Sequence, residues 1–214
     1  MSALYLNILS EAQRELWKGL EPVSKMGFTL YGGTALALQL NHRCSLDFDF
    51  FSSKPLQIQR ILDSLPNSNT LQIEKIKERT LELITQSGVH LSFFGALAIR
   101  RVGNPISDDE NHLKIASLDD LMAAKLKVLL QRIECKDYMD LAEMLRHGMS
   151  LSKGLSDAVA IYGNAFQPII ALKSMTYFEG GDLADLSARD KQTLLHAAQK
   201  VVSWEFQEPD AYDL

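Results

Sequence analysis

FTLYGGTALALQLNHRCSLDFDFF, residues 28–51 of the chain, places a strand, a glycine turn, a helix and a second strand in succession. Phe28 to Tyr31 is a short apolar run that suits a strand. Gly32-Gly33 punctuates it, and Thr34 to Leu40, rich in Ala and Leu, reads as a short helix. Leu46 to Phe51 alternates apolar and acidic residues, the pattern of a half-buried strand. Side chains two apart on a strand share a face. Asp47 and Asp49 therefore point one way, while Leu46, Phe48 and Phe50 point the other way and can be buried.

Two carboxylates on one face repel each other unless a cation sits between them. Mg²⁺ is the natural cation, because it takes oxygen ligands and keeps waters and substrate phosphates in its shell. Asp47 and Asp49 thus point to a metal that holds a triphosphate; a solvent-facing strand with two exposed acids is the alternative. Gly32, Gly33 and Thr34 open the helix just after the first strand. Glycines there let backbone approach a phosphate, and a helix start supplies N–H groups and a positive dipole end. The Thr34 hydroxyl can add a hydrogen bond. A phosphate cradle and a carboxylate pair on adjacent strands would hold the two ends of one Mg-triphosphate.

Outward from this stretch, residues 3–25 read as one helix on the spacing of Leu9, Ala12, Leu16, Leu20 and Val23, stopped by Gly27. Pro55 can start a helix carrying Ile58, Ile61, Leu62 and Leu65. Three strand-like runs follow at Leu71–Ile76, Thr80–Thr85 and Val89–Phe94. Gly103, Asn104, Pro105 and the acids from Asp108 to Glu110 mark a loop and a domain boundary, with an α/β core over 1–105 and a helical region over 106–214. In that region Ser117 with Asp120, and Ser187 with Asp190, have the spacing of capping boxes. Leu121, Lys125, Val128 and Leu129 share one side of the first helix, and helices follow over 136–145, 151–162, 164–174 and 188–204. The fold class is α/β (α+β): a mixed sheet with flanking helices, then a helical C-terminal half.

Composition narrows the class further. The 214 residues are 46% hydrophobic and 23% charged, which excludes a disordered chain, a collagen and a coiled coil. No apolar run approaches the roughly 18 residues of a membrane span, and no secretory leader is evident. Cys44 and Cys135 form no disulfide framework and no zinc motif. A reduced, cytoplasmic protein with no membrane partner is expected. The net charge is -5. From Glu179 onward there are eight acids and three bases, so the tail carries the whole excess. Such a balance speaks against generic nucleic-acid binding, which phosphate neutralisation drives. Bases outnumber acids around Arg79, Arg100, Arg101, Lys114, Lys125, Lys127, Arg132 and Lys136, as a solvated surface or a phosphate-facing patch.

Strand, Gly-Gly-Thr, helix and Asp-x-Asp together resemble the signature of the nucleotidyltransferase superfamily. In finer detail, GGTALALQLNHRCSLDFDFF resembles the AbiEii/AbiGii-type nucleotidyltransferase toxins. A second block, LDDLMAAKLKVLLQRIECKDYMDLAEML, is similar to that family's later motifs: a helical Lys, then Arg, then Lys-Asp-x-x-Asp-Leu. The resemblance spans residues 27–147. It implies that Gly32, Gly33 and Thr34 hold nucleotide phosphates and that Asp47 and Asp49 ligate Mg²⁺. Lys125 would reach a phosphate or the leaving pyrophosphate. Asp137, with Asp140 as second choice, would act as base or orient Lys125. The implied activity is Mg²⁺-dependent transfer of an NMP from an NTP to an RNA (tRNA) or protein acceptor. The implied role is that of a toxin in a toxin–antitoxin or phage-defence pair, with a cognate antitoxin.

One departure stands out. Many nucleotidyltransferases carry a third carboxylate on a later strand. Here Val89, Leu91 and Phe93 form the apolar face of that strand, and the opposite face offers His90 and Ser92 but no acid. Glu82 and Glu74, on neighbouring runs, have no spacing argument in their favour. A nucleotide-binding module with impaired catalysis, or a small-molecule nucleotidyltransferase, is the alternative.

Overall fold

The structure, a computed structural model, describes residues 4–98, 100–201 and 212–213. It divides into two compact units, Met1–Ile99 with Asn104–Ser117 and Asp213–Leu214, and Arg100–Gly103 with Leu118–Tyr212.

In the first unit a short 3-10 turn, Leu6–Ile8, precedes α1 (Glu11–Trp17) and α2 (Glu21–Lys25). The continuous helix expected over 3–25 is thus broken, with residue 3 outside the described residues. Its physical cause is Pro22: proline lacks an N–H and fits only the first turn of a helix, which is where α2 places it. Gly19 lies in the break, where a Cβ would stand 2.2 Å from Pro66 Cγ. A capping box starts α1: Gln13 N donates to Ser10 Oγ and Ser10 N donates to Gln13 Oε1. Next come β1 (Thr29–Tyr31), α3 (Gly32–Leu40), β2 (Asp47–Phe51), α4 (Ile58–Ser64), β3 (Gln72–Lys77), β4 (Thr80–Ile84) and β5 (His90–Phe94). After β6 (Arg100–Arg101), which belongs to the second unit, β7 (Ile106–Ser107) and β8 (Lys114–Ile115) return to the first. These two-residue strands are too short to show periodicity, and the sequence predicts no strand between Phe94 and Ser117.

The sheet order is β3-β4-β5-β2-β1-β8-β7. β2 pairs antiparallel with β1 and parallel with β5, which makes the sheet mixed. One face is apolar throughout: Leu30, Phe48, Phe50, Leu81, Leu83, Leu91 and Phe93 are all fully buried. The Phe50 and Phe93 rings stack at 5.1 Å, and Trp17 of α1 meets Phe48 at 6.0 Å. Burying each such side chain contributes roughly 1.5–3 kcal/mol. Asp47 is exposed and Asp49 half-buried, so their repulsion lies between the bulk-water and protein-surface limits, about 1–3 kcal/mol for one pair. Burial of Phe48 and Phe50 therefore wins, and the strand forms with Asp47 and Asp49 held on the opposite face.

The second unit holds α5 (Leu118–Val128), α6 (Cys135–Arg146), α7 (Leu151–Tyr162), α8 (Pro168–Met175) and α9 (Ala188–Gln199). β6 pairs with β9 (Tyr212–Asp213). Leu121, Leu126, Tyr138, Leu141, Met144, Leu155 and Leu194 are buried in its core. Ser187 caps α9 by accepting from Asp190 N at 3.1 Å, as its spacing predicts. In α5, the Asp120 carboxylate accepts from the Val102 N–H at 2.7 Å. The helix expected to run to 204 ends at Gln199, and residues 202–204 lie outside the described residues. No helix among the described residues is long and apolar enough to cross a membrane.

Candidate active site

Two polar clusters carry the residues that the sequence singles out, one in each unit. In the first, β1 runs into Gly32 at the start of α3, and Tyr31 lies opposite Asp49 in the β1–β2 ladder. Along β2, Phe48 and Phe50 are buried, Asp49 is half-buried and Asp47 is exposed. The strand register extends this face into rows. Tyr31, Asp49, Ser92, Glu82 and Lys75 follow one another across β1, β2, β5, β4 and β3. Asp47, His90 and Ile84 form the next row. Ser92 is therefore the residue beside Asp49. Glu82 lies beyond Ser92 on the same face, paired with Lys75 at 2.5 Å. Glu74 reaches His90 Nδ1 at 3.0 Å.

The turn is pressed against the carboxylate strand. Gly32 has φ +73, and a Cβ on it would stand 2.3 Å from Asp49 Oδ2. Glycine is required there twice, by the left-handed backbone and by the approach of Asp49. At Gly33 a Cβ would meet Arg43 Nη2 at 2.5 Å and Ser45 Oγ at 2.9 Å. The N-cap residue of α3, Tyr31, makes no side-chain capping hydrogen bond. Thr34 is fully buried, and its hydroxyl donates to the Asp47 backbone carbonyl at 2.5 Å. The sequence expectation put that hydroxyl on a phosphate; the structure puts it on the neighbouring strand.

A mutational contrast follows from the turn. Gly32→Ala is expected to cost about 1–2 kcal/mol in backbone strain alone and to push Asp49 aside. A melting curve should show a loss of several degrees. Gly33→Ala should be milder, because its backbone is not left-handed and the two atoms it meets, Arg43 Nη2 and Ser45 Oγ, are side-chain ends and not backbone.

The second cluster ties α5 to α6. Lys125 Nζ contacts Asp137 Oδ1 at 2.7 Å and Asp140 Oδ2 at 2.6 Å. Both carboxylates are fully buried, and Lys125 is 6% exposed. Its place on the Leu121–Leu129 side of the helix explains the burial: those leucines enter the core and carry the lysine with them. Arg132 closes on Asp137 from outside, Nε to Oδ2 at 2.9 Å and Nη2 to Oδ1 at 3.2 Å. Burial alone raises the pKa of Asp137. The Arg132 hydrogen bond and the Lys125 charge outweigh it and hold the carboxyl below the ordinary value.

The sequence missed Arg132 as a partner, although the run from Lys125 through Arg132 to Asp137 and Asp140 contains all four residues. The basic stretch is also less free than its composition implies. Lys125 and Arg132 are tied to acids, Lys136 pairs with Glu134 at 2.9 Å, and Lys127 donates to the Ala165 carbonyl.

A glycine turn leading into a helix, beside an Asp-x-Asp strand of a mixed sheet, defines a fold of the nucleotidyltransferase type. A family model described as nucleotidyl transferase AbiEii toxin, type IV TA system, matches residues 20–200, and the chain belongs to this family. An uncharacterized protein of Aquifex aeolicus (strain VF5) is 34% identical over 181 residues, covering 80% of this chain and 84% of the relative. MenT4, a nucleotidyltransferase toxin of Mycobacterium tuberculosis H37Rv, shares the fold with a TM-score of 0.55 at 13% identity. That match covers 88% of this chain and 86% of MenT4.

Proposed function

We propose that the protein is a Mg²⁺-dependent nucleotidyltransferase that moves an NMP from an NTP to an RNA or protein acceptor, as the toxin of a toxin–antitoxin pair. The observation that carries this reading is the packing of Gly32 against Asp49, which joins a glycine turn at a helix start to a carboxylate pair. The donor set fits Mg²⁺. Asp47 and Asp49 are hard oxygen ligands on one face, and no group of three or more potential metal-binding His, Cys, Asp or Glu side chains occurs among the described residues. A cation with two protein ligands takes its remaining ligands from phosphate oxygens and water, the habit of Mg²⁺ rather than of a structural metal. When bound there, Mg²⁺ supplies charge neutralisation at the reacting phosphate.

The chain's own groups do the rest. The backbone at Gly32 and Gly33 receives phosphate oxygens on N–H groups. Lys125 is assigned as a cation for phosphate charge. Its support is the sequence motif and the two carboxylates that fix its ammonium. Asp137 is assigned to orient Lys125, because a fully buried carboxylate gripped by two cations is a poor base. Catalysis then rests on positioning and charge neutralisation.

A second reading is favoured by one observation. Ser92 stands where a third acid would flank Asp49, so nucleotide binding without transfer is the rival. Incubation with each α-labelled NTP, Mg²⁺ and total RNA separates the two. The nucleotidyltransferase reading expects label in RNA or in a protein. Mg-NTP binding with no label in either would favour the rival.

A further inference from the structure

We propose that Thr34 is a positioning residue, whose hydroxyl holds Asp47 at the mouth of the glycine turn instead of binding phosphate. This rests on the nucleotide-site reading above and refines it. The β1–β2 ladder ends at the Tyr31–Asp49 pair, so Asp47 lies two residues beyond the last rung on that side. Its other side is paired with His90 of β5. The Asp47 carbonyl would face the end of β1 with no strand partner, and the Thr34 hydroxyl fills that place at 2.5 Å. Thr34 is fully buried. A hydroxyl has a single O–H to donate, and Asp47 takes it. One side chain therefore fastens the start of α3 to the strand that bears both carboxylates. Gly32 packs the same helix start against Asp49. The two contacts fix both acids relative to the turn, one through its backbone and one through its side chain.

The test uses Thr34→Val, which keeps the shape and removes the donor, and Thr34→Ser, which keeps the donor. Thr34→Ala replaces the valine variant if the latter does not fold, as checked by circular dichroism. Binding of ATP, GTP, CTP and UTP, each titrated separately by calorimetry, is followed as Mg²⁺ is raised. For Thr34→Val the proposal expects the half-maximal Mg²⁺ concentration to rise about tenfold, with NTP affinity at saturating Mg²⁺ within about twofold of wild type. Thr34→Ser should behave as wild type. A loss of NTP affinity that saturating Mg²⁺ does not restore would make Thr34 a phosphate ligand and overturn the proposal. No change in either quantity would reduce Thr34 to a packing residue and also overturn it. Wild type that binds none of the four nucleotides would instead overturn the nucleotide-site reading itself.

Discussion

The double variant Asp47→Asn, Asp49→Asn is expected to transfer no nucleotide, a loss on the order of 10³-fold or more, and yet to melt no earlier than wild type in metal-free buffer. Both halves have one cause. The carboxylates are on the polar face of β2, and the strand is held by Phe48 and Phe50 beneath them. Removing two like charges relieves repulsion, asparagine keeps the hydrogen-bonding capacity and size of each side chain, and no apolar contact is lost. On the proposed function the same change removes the metal ligands and with them preorganised charge neutralisation, for which the loss of a single group already costs about 10²–10³-fold. Added Mg²⁺ with NTP should raise the melting temperature of wild type and leave that of the double variant unmoved, because only the protein that binds is stabilised by mass action. A double variant that melts much earlier than wild type would make these aspartates structural.

Lys125→Met should be the opposite kind of variant, inactive and unstable. It leaves Asp137 and Asp140, both fully buried, with one cation fewer. Breaking a buried ion pair in this way costs roughly 3–5 kcal/mol. Adding Asp140→Asn to Lys125→Met removes one charge of each sign and should recover part of the stability and none of the transfer. Denaturant melts and transfer assays on the single and double variants separate the two effects. The same cluster sets an acid limit. The folded pKa of Asp137 lies below the unfolded value of about 3.9, so the unfolded chain binds more protons between the two. The stability that Asp137 contributes is therefore fully present above about pH 4 and is lost as pH falls through the folded value. In Lys125→Met the depression shrinks, and stability should fall less steeply below pH 4.

How much of this was legible in the sequence depends on how local each feature is. The Gly-Gly turn, α3 and the Asp-x-Asp strand are written in consecutive residues, and alternation alone put Phe48 and Phe50 inside and the aspartates outside. The break between α1 and α2 was legible too, in Pro22, but periodicity pointed the other way. β7 and β8 exist because β1 offers an edge to β8, at Leu30 opposite Ile115, and no two-residue strand announces that in its own sequence. Lys125 shared a helical side with leucines, which is a sign of burial. Its two carboxylate partners come from the next helix, and only the packing of α5 on α6 brings them to it. Thr34 is the clearest limit. Its neighbours suggested a phosphate ligand, while the partner of its hydroxyl is a backbone atom on a strand whose register cannot be read one residue at a time. Ser92 and Glu82 likewise acquired their relation to Asp49 only through strand register.

The central claim, nucleotidyl transfer at the Asp47–Asp49 face, is tested most directly by following both ends of the triphosphate. Parallel reactions with α-labelled and γ-labelled NTP, Mg²⁺ and total RNA, each with Asp47→Asn beside wild type, report which phosphorus bond breaks. The account predicts α-label in the acceptor, γ-label released as pyrophosphate, and neither event with Asp47→Asn. Transfer of γ-label to the acceptor, or α-label transfer that persists in Asp47→Asn, would contradict it.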